Sequence, residues 1–258
     1  MRIKEAAGWN QTERDWRNLL RLAPETCFGL DCDGALAATA TAVCYARRLA
    51  WIGMVLTSPA QRRRGFARLL LEHTIETLIA RQIEWIKLDA TEMGVPLYRQ
   101  LGFEPESAVE RWAATAAQPS GSPLVDPWGN YPALDRHAFG ADRSDLLALL
   151  APMGAAAIAD QGYAVARSGS QAAYFGPCVS CGPETAGQLL AWFLARHAGE
   201  ALYWDLLPHN RETQNLARSH GFRPLRRLVR MVRPGVAGAA PLHHDDSQVF
   251  AIAGFEYG

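Results

Sequence analysis

The sequence predicts an α/β protein made of two tandem copies of one domain, and three observations lead there. Hydrophobic periodicity and turn residues give the order helix, hairpin, strand, helix, strand, helix within about 110 residues. Short words then recur: Leu69-Leu70 is answered by Leu189-Leu190 at an offset of 120, and Gly102-Phe103 by Gly221-Phe222 at an offset of 119. Between the two runs, Ala113 to Pro132 carries four prolines and two glycines, the composition of a linker. The expected organisation is therefore 1–112 as the first domain, 113–133 as linker and 134–258 as the second domain.

The elements of the first copy follow in order. Asn10 to Ala23 reads as a helix, with Asn10 as N-cap, Glu13 completing a capping box, and Trp16, Leu19, Leu20 and Ala23 at helical spacing before Pro24. Thr26 to Leu30 and Ala35 to Tyr45 flank Asp33-Gly34 as a hairpin. Leu49 to Thr57 is a strand, Gln61 to Ala67 a basic turn, and Arg68 to Gln82 a helix with Leu71, Ile75, Leu78 and Ile79 on one face. Trp85 to Ala90 is a strand, and Pro96 to Leu101 a short helix with proline in its first turn, closed by Gly102.

In the second copy Leu134 to Leu150 reads as helix, and Gly162 to Arg167 and Ala172 to Val179 as strands. Pro183 to His197 is a helix with Leu189, Leu190, Phe193 and Leu194 inward. Ala201 to Leu206 is a strand, and Asn210 caps a helix to His220.

Composition limits function. With 26 basic and 26 acidic residues among 258 the formal net charge is zero, so no global field recruits nucleic acid or an anionic membrane. Any anion recognition must be local. Five cysteines, an odd number, and an N-terminus without an apolar core after Met1-Arg2-Ile3-Lys4-Glu5 give the expectation of a cytoplasmic protein with free thiols. The longest near-apolar run, Leu146 to Ala159, contains Pro152 and is too short to span a bilayer. Cys178-Val179-Ser180-Cys181 lacks the second ligand pair of a zinc site, and His243-His244-Asp245-Asp246 reads as a surface loop, so no metal is expected.

Chemistry concentrates in Val55-Leu56-Thr57-Ser58-Pro59-Ala60-Gln61-Arg62-Arg63-Arg64-Gly65-Phe66-Ala67-Arg68. A strand runs into a basic turn and then a helix. A helix N-terminus offers unpaired N–H groups and partial positive charge, a natural seat for a diphosphate. Gly65 and Ala67 leave the backbone open to phosphate oxygens, and the arginines add attraction. Neither a Walker loop nor Gly-x-Gly-x-x-Gly occurs.

Arg62-x-x-Gly65-x-Ala67 resembles the acyl-CoA signature of the GNAT N-acetyltransferases. Pro96-Leu97-Tyr98-Arg99-Gln100-Leu101-Gly102-Phe103 resembles the family's Leu-Tyr-x-x-x-Gly-Phe block. Together they cover roughly the first 110 residues. The second half is similar to the divergent second domain of tandem members of that family, through Asp135 to Arg143 and Val249 to Gly254. The resemblance implies two mixed, mostly antiparallel twisted sheets flanked by helices. It implies acetyl-CoA as acyl donor, bound by Val55, Leu56, Thr57, Arg62, Arg63, Arg64, Gly65, Phe66, Ala67 and Arg68. Direct transfer to an amine is implied, with strand N–H groups near Val55 to Thr57 holding the thioester carbonyl. Tyr98 takes the place of the family's general acid. Asp89 and Glu92 lie where such families place a base; Asp205, His209 or a water chain are alternatives.

The second copy departs from the signature. Gly182-Pro183-Glu184-Thr185-Ala186-Gly187 puts a carboxylate at the helix start, and Arg218-Ser219-His220 replaces the tyrosine block. One cofactor site per chain, in the first copy, is the expectation. The functional expectation is an acetyl-CoA-dependent acyltransferase acting on a small-molecule amine, as monomer or homodimer. The other readings are an acyl-CoA sensor without turnover and a protein or peptide N-acetyltransferase.

Overall fold

A computed structural model of the chain describes residues 8–115, 131–159 and 161–258. It divides into two compact units that cut across the expected boundaries. Unit 1 comprises Met1–Ser107, Val229–Leu242 and Phe255–Gly258; unit 2 comprises Ala108–Leu228 and His243–Gly254.

In unit 1, helix α1 (Glu13–Leu22) precedes strands β1 (Cys27–Cys32), β2 (Ala35–Tyr45) and β3 (Leu49–Thr57). Its cap is Thr12 and not Asn10: Thr12 N donates to Asp15 Oδ2 at 2.6 Å, and Asp15 N donates to Thr12 Oγ1 at 3.4 Å. The box has moved two residues because Thr-x-x-Asp offers the same reciprocal bonds as the expected Asn-x-x-Glu. Helix α2 (Phe66–Ala80), strand β4 (Trp85–Ala90) and helix α3 (Val95–Gln100) follow. Strands β1, β2 and β3 pair antiparallel in order, and β3 pairs parallel with β4. Leu71, Ile75 and Leu78 of α2 pack on Ala42, Ala50, Ile52, Leu88 and Ala90, which share one sheet face by strand alternation.

The sheet of unit 1 is completed by a strand from far along the chain. Strand β10 (Arg223–Pro234) lies antiparallel to β4, from Val229 opposite Ala90 to Pro234 opposite Trp85. The reciprocal exchange builds unit 2. Strand β5 (Glu104–Thr115) follows α3 in sequence, yet its residues Glu110–Thr115 pair antiparallel with strand β9 (Ala201–Leu206). Each copy thus gives the strand that follows its second β–α unit, β5 after α3 and β10 after α7 (Arg211–Ser219), to the other unit, and neither unit is a contiguous stretch of sequence. The expected linker begins inside β5; residues 116–130 lie outside the described residues.

Unit 2 also contains helices α4 (Pro132–Phe139) and α5 (Ser144–Leu150), strands β6 (Ala155–Ala159), β7 (Gly162–Arg167) and β8 (Ala173–Ser180), helices α6 (Pro183–Arg196) and α7 (Arg211–Ser219), and strand β11 (Val249–Ala251). The single helix expected over 134–150 is two, because Gly140 caps α4 in the left-handed conformation (φ 87°). Strands β6, β7 and β8 pair antiparallel, and β8 pairs parallel with β9. The core centres on Phe175, Phe193, Trp204 and Phe222, whose rings meet at centroid distances of 5.1–5.3 Å. Such contacts each add about 0.5–1.5 kcal/mol beyond burial.

Candidate active site

The site begins with a flaw in a strand. Opposite β2, Thr39 pairs with Leu56 and Thr41 with Gly53, so β3 carries one extra residue there, and Met54 takes a left-handed φ of 51°. Thr39 Oγ1 donates to the Met54 carbonyl at 2.8 Å and satisfies it. The bulge turns β3 away from β4: the parallel pairing stops at Ile52 opposite Leu88, while β3 runs on to Thr57 against β2. Val55, Leu56 and Thr57 therefore form one side of a wedge with no strand among the described residues on their β4 side. An extended, amide-bearing chain fits there by strand addition.

The wedge leads to the basic turn. Pro59–Gln61 is a 3-10 turn, Arg63 and Gly65 have φ of 62° and 82°, and α2 starts at Phe66, two residues before the expected Arg68. Gly65 caps α2 without a side-chain hydrogen bond, which leaves the first-turn N–H groups of Phe66, Ala67 and Arg68 available. A Cβ placed on Gly65 meets no atom of the described residues within 4 Å, so they leave the approach open. Arg62 and Arg63 are exposed and have no side-chain partner among the described residues. Arg64 bonds Gln61 and lies 4.8 Å over the Phe66 ring, and Arg68 bonds Gln100 and, at 3.4 Å, Glu72. Donors, space and positive charge converge, so these residues fit a diphosphate.

Tyr98 sits on α3, its ring half-buried and edge-on to Phe103 at 6.0 Å. Gly94 leaves room for that ring, since a Cβ there would be 2.9 Å from Tyr98 Cε2. Burial pushes the phenol up to about 12. The hydroxyl has no hydrogen-bond partner among the described residues.

The two carboxylates read as candidate bases differ sharply. Glu92 is exposed in the turn between β4 and α3. Asp89 has a fully buried side chain and accepts from Arg230 of β10 at both oxygens, Nε–Oδ1 2.9 Å and Nη2–Oδ2 3.1 Å. Arg230 in turn lies 4.5 Å over the Trp51 ring. Sequence reasoning missed Arg230 and Trp51, because the exchange that brings β10 to β4 leaves no local signal. The repeat offset offered one: Arg111 stands 119 residues before Arg230 and makes the matching pair with Asp205 in unit 2.

The matching wedge of unit 2 is closed. Strands β8 and β9 pair only from Ala173 opposite Leu202 to Phe175 opposite Trp204. Beyond that β11 takes the space, Val249 opposite Val179 and Ala251 opposite Cys178. Trp204 Nε1 donates to Phe250 O at 2.7 Å, and Ile252 N donates to Asp205 O at 3.0 Å. Glu184 occupies the first turn of α6. Asp205 is paired with Arg111, and His209 is exposed and bonded to Asp246 at 2.8 Å. Among the described residues no three His, Cys, Asp or Glu side chains gather as a metal site, and no helix is long and apolar enough to cross a membrane. All five thiols are free; Cys178 is buried, which raises it, and Cys181 is exposed.

Two family models match the chain. The model described as "Acetyltransferase (GNAT) family" matches residues 4–103, and that described as "Acetyltransferase (GNAT) domain" matches residues 132–251. The chain belongs to the GNAT acetyltransferases. It carries two GNAT domains in tandem. It is 26% identical over 167 residues to the uncharacterized N-acetyltransferase YitH of Bacillus subtilis strain 168, covering 59% of this chain and 58% of that protein. Among solved structures a provisionally assigned acetyltransferase from Pyrococcus horikoshii shares the fold with a TM-score of 0.83 at 19% identity, over 95% of this chain and 84% of that one. A tandem GNAT protein from the clavulanic acid biosynthesis pathway does so at 0.59 and 16%, over 92% and 93%.

Proposed function

We propose that this tandem GNAT protein is an acetyl-CoA-dependent N-acetyltransferase that acts on a small-molecule amine, with its one working site in unit 1. The observation that carries this is the continuity of the open wedge at Val55–Thr57 with the uncapped start of α2 at Gly65. Acetyl-CoA supplies an activated acyl thioester; the chain's own residues do the rest. The α2 N–H groups with Arg62, Arg63 and Arg64 hold the diphosphate, and the open β3 edge holds the amides of the donor's arm. N–H groups of that edge receive the charge that develops on the carbonyl oxygen.

Tyr98 serves the leaving sulfur. A phenol held near 12 remains protonated at neutral pH, so it donates a hydrogen bond to the developing thiolate. Outright transfer to a thiolate of pKa about 8.5 is uphill before and after the C–S bond breaks, so the phenol keeps its proton and the released thiolate takes one from solvent. Glu92 is the carboxylate free to take the amine's proton, directly or through water. Asp89 serves only if Arg230 lets go of it.

Calorimetry with acetyl-CoA on the wild type and on Gly65→Glu tests the reading. One site per chain, lost in the variant, supports it and justifies a screen of amines for turnover. Absence of binding by the wild type at low and moderate salt refutes it.

A further inference from the structure

The Met54–Val55 peptide lies just past the end of the parallel ladder between β3 and β4, and a buried side chain holds it. Thr39 Oγ1 donates to the Met54 carbonyl at 2.8 Å. That peptide bond is trans, so its N–H points opposite to its C=O, and the two turn together as one rigid plate. The hydroxyl that fixes the Met54 carbonyl therefore also fixes the direction of the Val55 N–H. The ladder with β2 gives that direction independently. Ser58 N donates to Ala37 O at 2.8 Å. Amides alternate sides along a strand, so those of Ser58 and Leu56 face β2, while those of Thr57 and Val55 face the wedge.

A bulge leaves its extra residue outside the regular ladder, so the plate depends on that hydroxyl. Without it the plate can rock about its two Cα atoms and carry the Val55 N–H off line, and a hydrogen bond weakens steeply as its angle closes. Unit 2 keeps the bulge and directs the matching hydroxyl elsewhere. In β8, Ala164 pairs with Cys178 and Ala166 with Phe175, which leaves one extra residue. Ile52 and Phe175 each end a parallel ladder. Four residues beyond them, Leu56 lies opposite Thr39 and Val179 opposite Tyr163. Tyr163 thus stands where Thr39 stands, and its hydroxyl donates to Asp135. The copy whose wedge β11 fills has no use for an aimed amide. The copy whose wedge is open carries a hydroxyl short enough to reach the bulge carbonyl.

We propose that Thr39 is a positioning residue of acetyl transfer: by holding the Met54 carbonyl, it aims the Val55 N–H at the thioester oxygen of the donor in the wedge. The inference rests on the N-acetyltransferase reading above. Thr39 touches neither donor nor acceptor and acts through the backbone alone. Negative charge builds on the thioester oxygen as the amine attacks, and an amide already in line stabilises it without having to turn.

The test reads the thioester carbonyl itself. Acetyl-CoA bearing an isotope label at the acetyl carbonyl is bound to wild type, Thr39→Ser, Thr39→Val and Thr39→Ala. Its C=O stretch is taken by isotope-edited infrared difference spectroscopy, with calorimetry for affinity and melting curves as folding control. The stretch is expected at lower wavenumber in wild type and Thr39→Ser, where the amide is aimed, and at higher wavenumber in Thr39→Val and Thr39→Ala. Acetyl-CoA affinity is expected to stay within about threefold throughout. A stretch that is the same in wild type and Thr39→Val overturns the inference. So does a Thr39→Ser that behaves as Thr39→Val does, or a folded Thr39→Val that no longer binds acetyl-CoA. Loss of folding in both Thr39→Val and Thr39→Ala overturns it too, since the threonine is then purely structural. A wild type that binds no acetyl-CoA overturns the N-acetyltransferase reading as well, which separates the two failures.

Discussion

Arg230 and Asp89, 141 residues apart in sequence, close a two-point ion pair across the seam between an exchanged strand and its host sheet. Arg111 and Asp205 do the same in unit 2, at 2.7 and 2.6 Å. In each case the arginine comes on the strand donated by the other copy and the aspartate waits on the strand after the wedge. A slip of one residue would turn the guanidinium to the opposite face and leave a buried carboxylate alone, so the pair sets the register.

Breaking that pair is expected to cost stability before anything else. Arg230→Ala or Asp89→Asn should destabilise unit 1 by about 3–5 kcal/mol, since one buried charge or dipole loses its partner. Denaturant titration followed by tryptophan fluorescence measures this. If Asp89 were the base of the reaction, Asp89→Asn would abolish turnover even under strongly stabilising conditions; the pairing predicts recovery of turnover there.

The seat at α2 gives a graded series. Gly65 has φ 82°, which asparagine tolerates better than other side chains. Gly65→Asn is therefore expected to keep most acetyl-CoA affinity. Gly65→Glu should weaken it roughly 100-fold or more, by repulsion at the diphosphate. Calorimetry on both separates charge from backbone strain.

For Tyr98, Tyr98→Phe should lower kcat by roughly 10–100-fold with acetyl-CoA affinity unchanged. Because burial holds the phenol near 12, the wild type should show no alkaline fall in rate from this group up to about pH 10. The sign for stability follows from the same shift. The folded value lies above the unfolded one, near 10, so the stabilising contribution is whole below pH 10 and is lost as pH rises toward 12. A rate profile with an alkaline limb near 9 that disappears in Tyr98→Phe would contradict this placement.

Unit 2 is expected to bind no acyl-CoA, whatever its helix start carries. Glu184→Arg should leave the stoichiometry at one per chain, because β11 and not only the carboxylate closes that wedge. Phe250→Ala, in the core beside Trp204, should destabilise unit 2 by about 3–5 kcal/mol and leave the acetyl-CoA affinity of unit 1 unchanged. Differential scanning calorimetry alongside ligand titration reads both.

Much of this was legible in the residues. The apolar stripe of α2, the strand that precedes it, and the basic turn between them are local patterns, and the turn's chemistry depends on backbone that Gly65 makes available. The duplication was legible because both copies keep the same words at one spacing. Strands β5 and β10 were not, since Glu104-Pro105-Glu106 and Arg223-Pro224-Leu225-Arg226-Arg227 are charged, mostly exposed and proline-bearing, with no period-2 alternation to read. Their exchange has no local signature at all. The pairing of Asp89 with Arg230 depends on that exchange, and the 119-residue offset between Arg111 and Arg230 was the one trace of it in the sequence.

Reciprocal donation of the closing strands also dictates an order of synthesis. A ribosome that has released residues 1–107 has made a sheet whose outer edge at β4 is still bare, and that edge waits for Val229–Pro234, more than a hundred codons later. Unit 2, by contrast, receives β5 before its own strands exist. A gene cut in the proline-rich segment would therefore yield two fragments, each holding the strand the other lacks. Expressed together they have a route to complementation, whereas either alone keeps an open edge prone to self-association. Evolution faces the same constraint: neither copy can be deleted, however far its own cleft has decayed.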